Sequence, residues 1–370
     1  MICTINDIAD VISESIPNPA ESEYSVFVGL EHYDPGEVRI TRFGSTDKLV
    51  TAVKVFKEGD ILLARRNVYL KRAGLVDFSG VTSGDSIVLR VKPDLSKLGI
   101  DRSLIHRYLP FVLNTEEFWN YAEKYSDGTM SKRLSPKILL QYQFEIPDDI
   151  EEKNRLLWGA FSTKESYRQL LQATDEMVYS QFLTMLEKSD RKNTLGDFVK
   201  RRTPKRCGDR DLPILSVTKE NSIVFQEERF ESTVVSRDRS NYVVVPRGYI
   251  VQGIHIDEGN FGLQNLVDEG IVSPAYKLWE IVSTDVVPEL LEFYLRSPKA
   301  IDYYSKNFLG TTVVRRQVIK TEDLLAMPTN FPSLPKQQAF WGLKVQADKS
   351  KIELKNAIEK VDRVIRSLMQ

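Results

Sequence analysis

The sequence repeats itself, and the second copy begins a little under 190 residues after the first. The stretches GDIL (59–62) and SGDSIVLRV (83–91) correspond to GYIV (248–251) and SPAYKLWEI (273–281), at offsets of 189 and 190. Further along, Gly128-Thr129 and Trp158-Gly159 recur at offsets of 182 and 183, although the chain holds only four tryptophans. A duplicated unit predicts a pseudo-symmetric molecule whose partner repeats as well.

Length and composition fit a soluble globular protein of two domains. With 370 residues the chain can form two or three domains, and the repeat favours two. No apolar run approaches the roughly 18 residues that a membrane span needs. The N-terminus, MICTINDIAD, lacks a basic start followed by an apolar stretch, and two cysteines are too few for a disulfide framework or a metal cluster. We therefore expect a cytoplasmic protein.

The net charge of −1 argues at first against nucleic acid, because nucleic-acid-binding domains are often strongly basic. A neutral chain with local basic clusters is nevertheless consistent with one subunit of a complex in which other subunits supply further phosphate contacts. Taken alone, each cluster is equally consistent with a solvated surface. The clusters lie at 65–66 with 71–72, at 132–133, at 200–202 with 205–206, and at 315–316.

Each copy is predicted to be a mixed, strand-rich module followed by a long helix. Short alternating or apolar stretches between Gly, Pro and Asp are typical of strands, and apolar spacings of three and four are typical of helices. Predicted strands of the first copy are 25–30, 50–56, 60–64 and 86–91, and predicted helices are 104–114 and 116–125, with 288–297 and 299–307 in the second copy. The fold class is therefore α+β.

Beyond the prolines that end each module, a helical pattern runs without another proline to residue 203 or to the C-terminus. In the second such segment, Phe340, Leu343, Ala347, Ser350, Leu354, Ala357, Val361, Val364 and Leu368 form a coiled-coil seam. If the two helices pair antiparallel, each is a spacer of about 38 residues and roughly 57 Å. The predicted boundaries are 1–147 (first module), 148–193 (first helix), 194–332 (second module) and 333–370 (second helix).

The first helical segment has a wider apolar face than a two-helix seam requires. One stripe contains Leu157, Phe161, Leu171, Val178, Phe182 and Met185, and beside it lie Leu156, Tyr167, Leu170 and Met177. We therefore expect the helices to contact protein partners as well as each other, with Phe161, Phe182, Leu354 and Val361 as the candidate partner-binding residues.

Catalytic and metal-binding patterns are absent from the sequence. It has no Gly-rich phosphate loop, and its three histidines, His32, His106 and His255, are far apart. The stretch 330–333 (NFPS) departs at two positions from the Asn/Asp-Pro-Pro-aromatic motif with which amino-methyltransferases hold a base. We expect a binding protein that is not itself an enzyme and holds no metal or cofactor.

The stretches GDILLARRNVYLKRAGLVDFSGVTSGDSIVLRV and GTMSKRLSPKILLQYQFEIP, followed by a long helix, resemble a target recognition domain of the DNA specificity subunits of type I restriction-modification enzymes. The second copy fits the same pattern through LPILSVT, YVVVPRGYIVQGIHIDEGNFGLQNLVDEGIVSPAY and GTTVVRRQVIKTEDLLAMP. The resemblance extends from about Val28 to the C-terminus. The chain departs from many relatives at 151–154 (EEKN) and 336–338 (KQQ), where an acidic residue followed by Gln is usual.

The resemblance implies a subunit that binds double-stranded DNA at a bipartite target and directs two methyltransferase subunits and restriction/translocase subunits. S-adenosylmethionine, ATP and Mg would then be bound by the partner subunits. Because ARRNVYLKR in one copy stands opposite QGIHIDEGN in the other, we expect two different target blocks and a site that is not palindromic. The alternatives are a specificity subunit of another methyltransferase-based defence system and a protein-binding scaffold without DNA.

Two segments in each module are the candidates for DNA contact under this resemblance. Arginine and lysine anchor phosphates or pair with guanine, and asparagine or glutamine reads adenine. In the first module the candidates are Arg65, Arg66, Tyr69, Lys71, Arg72, Ser131, Lys132 and Arg133; in the second they are His255, Asn260, Gln264, Thr312, Arg315, Arg316 and Gln317.

Overall fold

The structure is a computed structural model that describes residues 1–19, 22–129, 131–219, 222–228, 239–308 and 319–370. The chain divides into two units. The first unit comprises Met1–Arg168 and Lys355–Gln370, and the second comprises Gln169–Leu354. Each long helix therefore contributes one part to each unit.

The first copy contains strands and short helices followed by one long helix. Its strands are β1 (Ile2–Thr4), β2 (Ala9–Ile12), β3 (Ser15–Ile16), β4 (Val26–Val28), β5 (Gly44–Ser45), β6 (Val53–Phe56), β7 (Ile61–Ala64), β8 (Ala73–Leu75), β9 (Gly80–Ser83), β10 (Ser86–Val91) and β11 (Gln143–Glu145). Its helices are α1 (Ile5–Ile8), α2 (Arg102–Val112), α3 (Glu116–Lys124), α4 (Pro136–Leu140) and α5 (Ile150–Glu187).

The second copy likewise has strands followed by short helices and one long helix. Its strands are β12 (Val199–Arg201), β13 (Leu215–Thr218), β14 (Ser222–Phe225), β15 (Val243–Pro246), β16 (Tyr249–Gln252), β17 (Phe261–Leu263), β18 (Glu269–Val272) and β19 (Lys277–Ile281). Its helices are α6 (Pro288–Leu295), α7 (Pro298–Lys306), α8 (Thr321–Leu325) and α9 (Leu334–Met369).

The repeat is visible in the sheets of the two modules. An antiparallel four-stranded sheet has the order β2-β10-β7-β8 in the first module and β12-β19-β16-β17 in the second. Gly59 and Gly248 stand at the same place, before β7 and β16, with φ of 85° and 84°. This left-handed backbone is easy for glycine and costly for other residues, which explains why the Gly recurs in both copies.

Strand β7 is buried on both faces, which explains its uninterrupted apolar sequence ILLA. Ile61 and Leu63 pack in the core that contains α2 and α3, whereas Leu62 and Ala64 pack with side chains of the five-stranded sheet β3-β6-β9-β4-β5. A strand between two apolar layers has no polar face, so it lacks the alternation of a half-buried strand.

The helices after each sheet begin with equivalent hydroxyl caps. Thr115 Oγ1 accepts a hydrogen bond from the N–H of Phe118 at the start of α3, and Ser297 Oγ accepts one from the N–H of Ala300 at the start of α7. Such caps satisfy N–H groups that the first helical turn leaves without a partner. The two caps are 182 residues apart, which matches the offset of this part of the repeat.

In the first unit, both long helices are part of the module core. Leu157 and Phe161 of α5 are buried with the residues of the sheet and of α2, and Ile365, Leu368 and Met369 of α9 pack against them. Lys164 of α5 also pairs with Asp362 of α9 at 2.6 Å. The N-terminal part of α5 therefore lies beside the C-terminal part of α9.

The second unit has the converse arrangement. Val178 and Phe182 of α5 are buried with Phe340 and Ala347 of α9, and the rings of Phe182 and Phe340 lie 5.7 Å apart. Lys351 of α9 pairs with Asp175 of α5 at 2.6 Å. Because residue number rises along one helix as it falls along the other, the two segments of this unit are antiparallel.

The predicted seam of α9 is partly correct. Its positions Ser350, Leu354, Ala357, Val361 and Leu368 are half-buried. Phe340 and Ala347 are buried, but Leu343 and Val364 are exposed. Lys344 and Lys351 lie inward instead, because their stems pack along the helix while the ammonium groups reach Asp348 and Asp175. The first helix, predicted at 148–193, is shorter in the structure: α5 ends at Glu187, and β12 forms within the stretch where the helical pattern continued to residue 203.

A cluster of charges joins a loop of the first module to both long helices. Glu37 Oε1 accepts hydrogen bonds from Lys164 Nζ at 2.7 Å and Arg168 Nη2 at 2.5 Å, and Lys164 also pairs with Asp362. Burial by itself would raise the pKa of Glu37, but the hydrogen bonds from Arg168 and Lys164 outweigh it and hold the pKa below its ordinary value. Glu37 is therefore expected to be ionised at neutral pH.

A buried amide fixes the start of each long helix to the module before it. Gln337 of α9 accepts a hydrogen bond from the N–H of Val287 and donates to the carbonyl oxygens of Asp285 and Pro332. Asn154 of α5, at the equivalent position, donates to the carbonyl oxygen of Leu104. Its Oδ1 is buried and accepts no hydrogen bond within the part of the chain that the structure describes.

We predict that Gln337→Ala lowers the free energy of unfolding by about 2 kcal/mol, because it leaves buried backbone groups without partners. The measurement is the midpoint of urea unfolding followed by circular dichroism. Gln338→Ala is the matched control, because Gln338 is exposed on the next position of the same helix and its loss should cost less than about 0.5 kcal/mol. Equal effects of the two substitutions would contradict the role of the Gln337 amide.

We predict that Glu37→Gln destabilises the protein by about 3 kcal/mol at neutral pH, because it removes the carboxylate from a buried ion-pair cluster. A lowered pKa contributes stability that is present above the ordinary glutamate pKa and is lost as pH falls through the lowered value. The difference between wild type and variant should therefore shrink below about pH 4. The measurement is thermal unfolding as a function of pH.

The exposed Glu58→Gln is the control for this titration, and we expect no comparable loss of stability from it at neutral pH. A difference between wild type and Glu37→Gln that stays constant from neutral to acid pH would show that ionisation of Glu37 is not the source of its stabilisation.

Candidate nucleic-acid interface

The structure brings together the two predicted segments of the first module. The N–H of Asn67 donates to the carbonyl oxygen of Lys132 at 2.9 Å, and the N–H of Leu134 donates to that of Arg65 at 2.9 Å. Arg66 and Arg133 thereby form an antiparallel bridge between segments that are more than 60 residues apart. The loop before α4 is therefore held against the end of β7.

Side chains complete this junction. Arg66 Nε donates to Ser131 Oγ at 3.0 Å, and Ser131 Oγ donates to Asn67 Oδ1 at 3.0 Å. Arg66 and Arg133 both pair with the carboxylate of Asp85, at 3.7 and 3.5 Å. One carboxylate thus orients two guanidinium groups and leaves the group of three with a net positive charge. We call Arg66, Asp85, Ser131 and Arg133 the arginine cluster.

The backbone beside the arginine cluster is unusual. Asn67 and Lys71 have φ of 57° and 50°, and they flank the short 3-10 turn Val68–Leu70. Left-handed backbone at a residue other than glycine costs free energy, and such residues often stand where a structure must present side chains in one way. The turn exposes Tyr69, whose relative exposure is 55%.

Several predicted residues of this module are already engaged within the protein. Arg72 donates to the carbonyl oxygens of Leu30 and Arg66, and burial lowers its pKa, so its main role is structural. Lys71 pairs with Glu116 at 2.5 Å, and Lys132 lies 3.8 Å from Glu123. Arg65 is half-buried. The most accessible predicted side chains of the module are Arg66, Tyr69 and Arg133.

Sequence reasoning missed Asp85, although it stands in the stretch SGDSIVLRV that defines the repeat. The N–H of Arg65 donates to the carbonyl oxygen of Asp85 at 2.9 Å, so this residue orders the site through both its backbone and its carboxylate. Lys54, beside it, has a lowered pKa because of burial and the nearby Arg65 charge.

In the second module, two of the predicted residues lie between β16 and β17. His255 is exposed, and its carbonyl oxygen accepts hydrogen bonds from the N–H groups of Glu258 and Asn260. Asn260 is half-buried, and its Oδ1 accepts no hydrogen bond within the described ranges. Four further predicted residues, Thr312, Arg315, Arg316 and Gln317, lie outside the described residues.

The position of Gln264 requires a correction. Its side chain is fully buried, and its amide donates to the carbonyl oxygen of Val267 at 2.7 Å and accepts from the N–H of Leu266 at 2.9 Å. A buried amide with its hydrogen bonds made inside the fold has no group left for a base. We therefore remove Gln264 from the candidate interface, because a sequence pattern does not tell an amide that holds a turn from one that faces solvent.

The predicted partner-binding residues also need correction. Phe161 and Phe182 are buried in the module cores, so the chain itself covers them. Leu354 and Val361 are half-buried. The apolar side chains that α5 and α9 leave exposed are Leu156, Leu170, Met177, Leu343, Val345, Ile352 and Val364. Three of these, Leu156, Leu170 and Met177, belong to the second stripe of the first helix.

Across the described residues, no group of three or more His, Cys, Asp or Glu side chains is arranged to hold a metal ion. Within the same ranges, no helix combines the length and the apolar character needed to cross a membrane.

Comparisons with known proteins support the fold. No family model matches the sequence, and no curated protein matches it significantly. A chain in a structure that addresses complex assembly and conformational transition of the type I restriction-modification system is 14% identical, with a TM-score of 0.54. The alignment covers 100% of this chain and 96% of that chain. The two chains share a fold. The predicted α+β fold, with two strand-rich modules each followed by a long helix, is thereby confirmed.

Two further solved structures are similar at 14% identity over 100% of this chain. They are the HsdS subunit from Thermoanaerobacter tengcongensis, with a TM-score of 0.43 and 95% of that chain covered, and the type I restriction-modification system S subunit from M. genitalium, with 0.49 and 96%. At these TM-scores the likeness is too weak to support an argument.

We predict that Arg66→Ala and Arg133→Ala each weaken binding to random-sequence duplex DNA severalfold. Each should also lower the slope of log affinity against log salt by roughly 0.9 if one phosphate contact is lost. The measurement is fluorescence anisotropy of labelled DNA over a range of salt concentrations. Arg155→Ala is the control, because Arg155 is an exposed, ion-paired arginine of the same unit that lies outside the arginine cluster. An equal effect of Arg155→Ala would contradict the site.

Proposed function

We propose that this chain is the DNA specificity subunit of a type I restriction-modification complex and acts in the cytoplasm. In this proposal its two modules recognise the two blocks of a bipartite, asymmetric DNA target. The chain directs methyltransferase and restriction/translocase subunits to that target and carries out no chemistry itself. The observation that carries the proposal is the arginine cluster, an ordered and accessible cationic site built from two distant segments of one module.

The geometry of the arginine cluster suits recognition of DNA. Guanidinium groups held by a carboxylate are oriented before a ligand arrives, so less conformational entropy is lost on binding. An oriented arginine can donate two parallel hydrogen bonds to guanine or to a phosphate. The exposed ring of Tyr69 lies on the turn next to this cluster and provides a surface for a sugar or base edge.

The duplicated architecture supports a split target. Two modules with one sheet order but different residues in the loop after β7 and β16 are suited to two different short sequences. Half-sites about one helical turn apart, or a multiple of it, present the same groove to both modules, so the length between the blocks should be fixed. The fold shared with a chain of a type I restriction-modification system is consistent with this proposal.

The exposed apolar side chains of α5 and α9 support a role for the long helices in assembly. Leu170, Met177 and Ile352 are each more than two-fifths exposed, although an apolar side chain of this size gains free energy from burial. We propose that two methyltransferase subunits cover this part of the chain. S-adenosylmethionine, ATP and Mg would then be bound by the partner subunits.

Two alternatives remain. In the first, the chain is the specificity subunit of a different methyltransferase-based defence system. The sequence of this chain does not distinguish the two systems, because other genes encode the partner enzymes. A scaffold for a partner other than DNA is favoured by the net charge of −1 and opposed by the accessible arginine cluster. Retention of random duplex DNA at low and moderate salt, with and without a methyltransferase partner, separates them, because a scaffold would show no salt-sensitive binding in either case.

We predict that cells with this chain methylate a DNA motif of two different short blocks at a fixed separation, and that the methylation disappears when the gene is deleted. The measurement is genome-wide mapping of methylated bases in the two strains. Restoring the gene on a plasmid is the control and should bring back the same motif. A palindromic motif, or a motif that persists in the deletion strain, would contradict the proposed function.

A further inference from the structure

The most basic stretch of the chain lies outside the predicted DNA contacts. Residues 200–206, with the sequence KRRTPKR, contain five cations in seven residues. Every residue of this stretch is exposed. We call it the basic segment.

The backbone of the basic segment is fixed at several points. Its first residues belong to β12, which pairs with β19, and the N–H of Arg202 donates to the carbonyl oxygen of Leu278 at 2.9 Å. Further along, the N–H of Val244 donates to the carbonyl oxygen of Lys205 at 2.8 Å, and the N–H of Cys207 donates to that of Tyr242 at 2.7 Å. The side chains therefore project from an ordered, extended backbone.

In the part of the chain that the structure describes, few groups neutralise these charges. Arg202 pairs with Glu280 at 3.1 Å and donates to the hydroxyl group of Tyr249. Among the described residues, Lys200, Arg201, Lys205 and Arg206 form no ion pair. The pKa of nearby Lys277 is lowered by burial and by the charge of Arg201. Repulsion among these like charges destabilises the segment unless an anion is bound.

The fold itself does not require the cations. Strand β12 pairs with β19 in the second module, and the equivalent pair in the first module is β2 with β10. At the repeat offset of 190, residues 200–206 correspond to 10–16, with the sequence DVISESI, which contains two carboxylates and no cation. The same strand pairing therefore forms with the opposite charge, so the basic residues belong to a role of the second module alone.

The basic segment leaves the sheet at the end where the other candidate contacts of its module begin. Lys277 of β19 pairs with Gln252 of β16, and the chain passes from Gln252 to His255 within three residues. Arg202 is hydrogen-bonded to Leu278, which is one residue from Lys277, the first residue of β19. Arg202 and the strand end that leads to His255 therefore lie at the same end of one sheet, and Lys205 and Arg206 follow where the chain has left it.

We infer that the basic segment is a phosphate-binding element of the second module that follows one strand of duplex DNA. This inference rests on the proposed function and adds to it a contact that one of the two modules makes and the other does not. Seven extended residues span roughly 20 Å, and successive phosphates of one strand rise by about 3.4 Å, so the segment is long enough to reach several phosphates. Because phosphates are the same in every sequence, this contact strengthens binding without selecting bases.

The test is a triple variant, Lys200→Ala with Lys205→Ala and Arg206→Ala, which spares Arg201 and Arg202 because they contact other side chains. Binding of random-sequence duplex DNA to the full chain is measured by fluorescence anisotropy over a range of salt concentrations. We expect affinity at low salt to fall by about 10- to 100-fold and the salt slope to become shallower by roughly 2 to 3, for up to three lost phosphate contacts.

The matched control removes three exposed lysines from the same unit, by Lys299→Ala with Lys336→Ala and Lys349→Ala. It changes the net charge equally, so an equal loss of affinity would show that only overall charge matters and would overturn the inference. Circular dichroism of both variants verifies that they fold.

The remaining outcomes separate this inference from the proposed function. If wild type binds DNA and the triple variant keeps its affinity and salt slope, the basic segment is not a phosphate contact although the proposed function stands. If wild type shows no salt-sensitive binding with or without its methyltransferase partner, the proposed function itself fails. A loss of affinity that is uniform over unrelated DNA sequences would support the phosphate contact.

Discussion

Burial of the two long helices in the module cores is the interaction on which the rest of the chain depends. In the first unit Phe161 of α5 is buried with the sheet and α2, and in the second Phe182 of α5 is buried with Phe340 of α9. In proteins most of the stability of a helix comes from the packing of its apolar face and not from helix propensity. Each module therefore stabilises a part of both helices, and the helices in turn complete both cores.

Much of the fold could be predicted from the sequence, because its signals are local. Stretch 86–91 forms β10 with the predicted bounds, and 60–64 contains β7. The positions that failed are those set by distant partners. Lys344 lies over the ring of Phe293, and Lys351 pairs with Asp175 of α5. Residues 199–201 form a strand and not a helix because they pair with β19.

Less of the candidate site than of the fold could be predicted from the sequence. The sequence indicated which segments carry cations, and the structure joins the two segments of the first module through Asn67 and Lys132. The sequence could not indicate that Arg72 donates hydrogen bonds to carbonyl oxygens or that Gln264 is buried. Nor could it indicate that Asp85 pairs with two arginines. Hydrogen-bond partners depend on contacts between residues far apart in sequence, and composition carries no record of them.

The buried amides at the start of the long helices have a consequence for engineering. Gln337 makes its three hydrogen bonds to the second module and to the turn before α9, whereas Asn154, one methylene shorter, makes one to Leu104 of the first. The residue at this position is thus matched to the module before it and not to the helix that contains it. A chimaera that exchanges one module for another should therefore be joined beyond the first turn of the helix, so that each transplanted module brings its own amide.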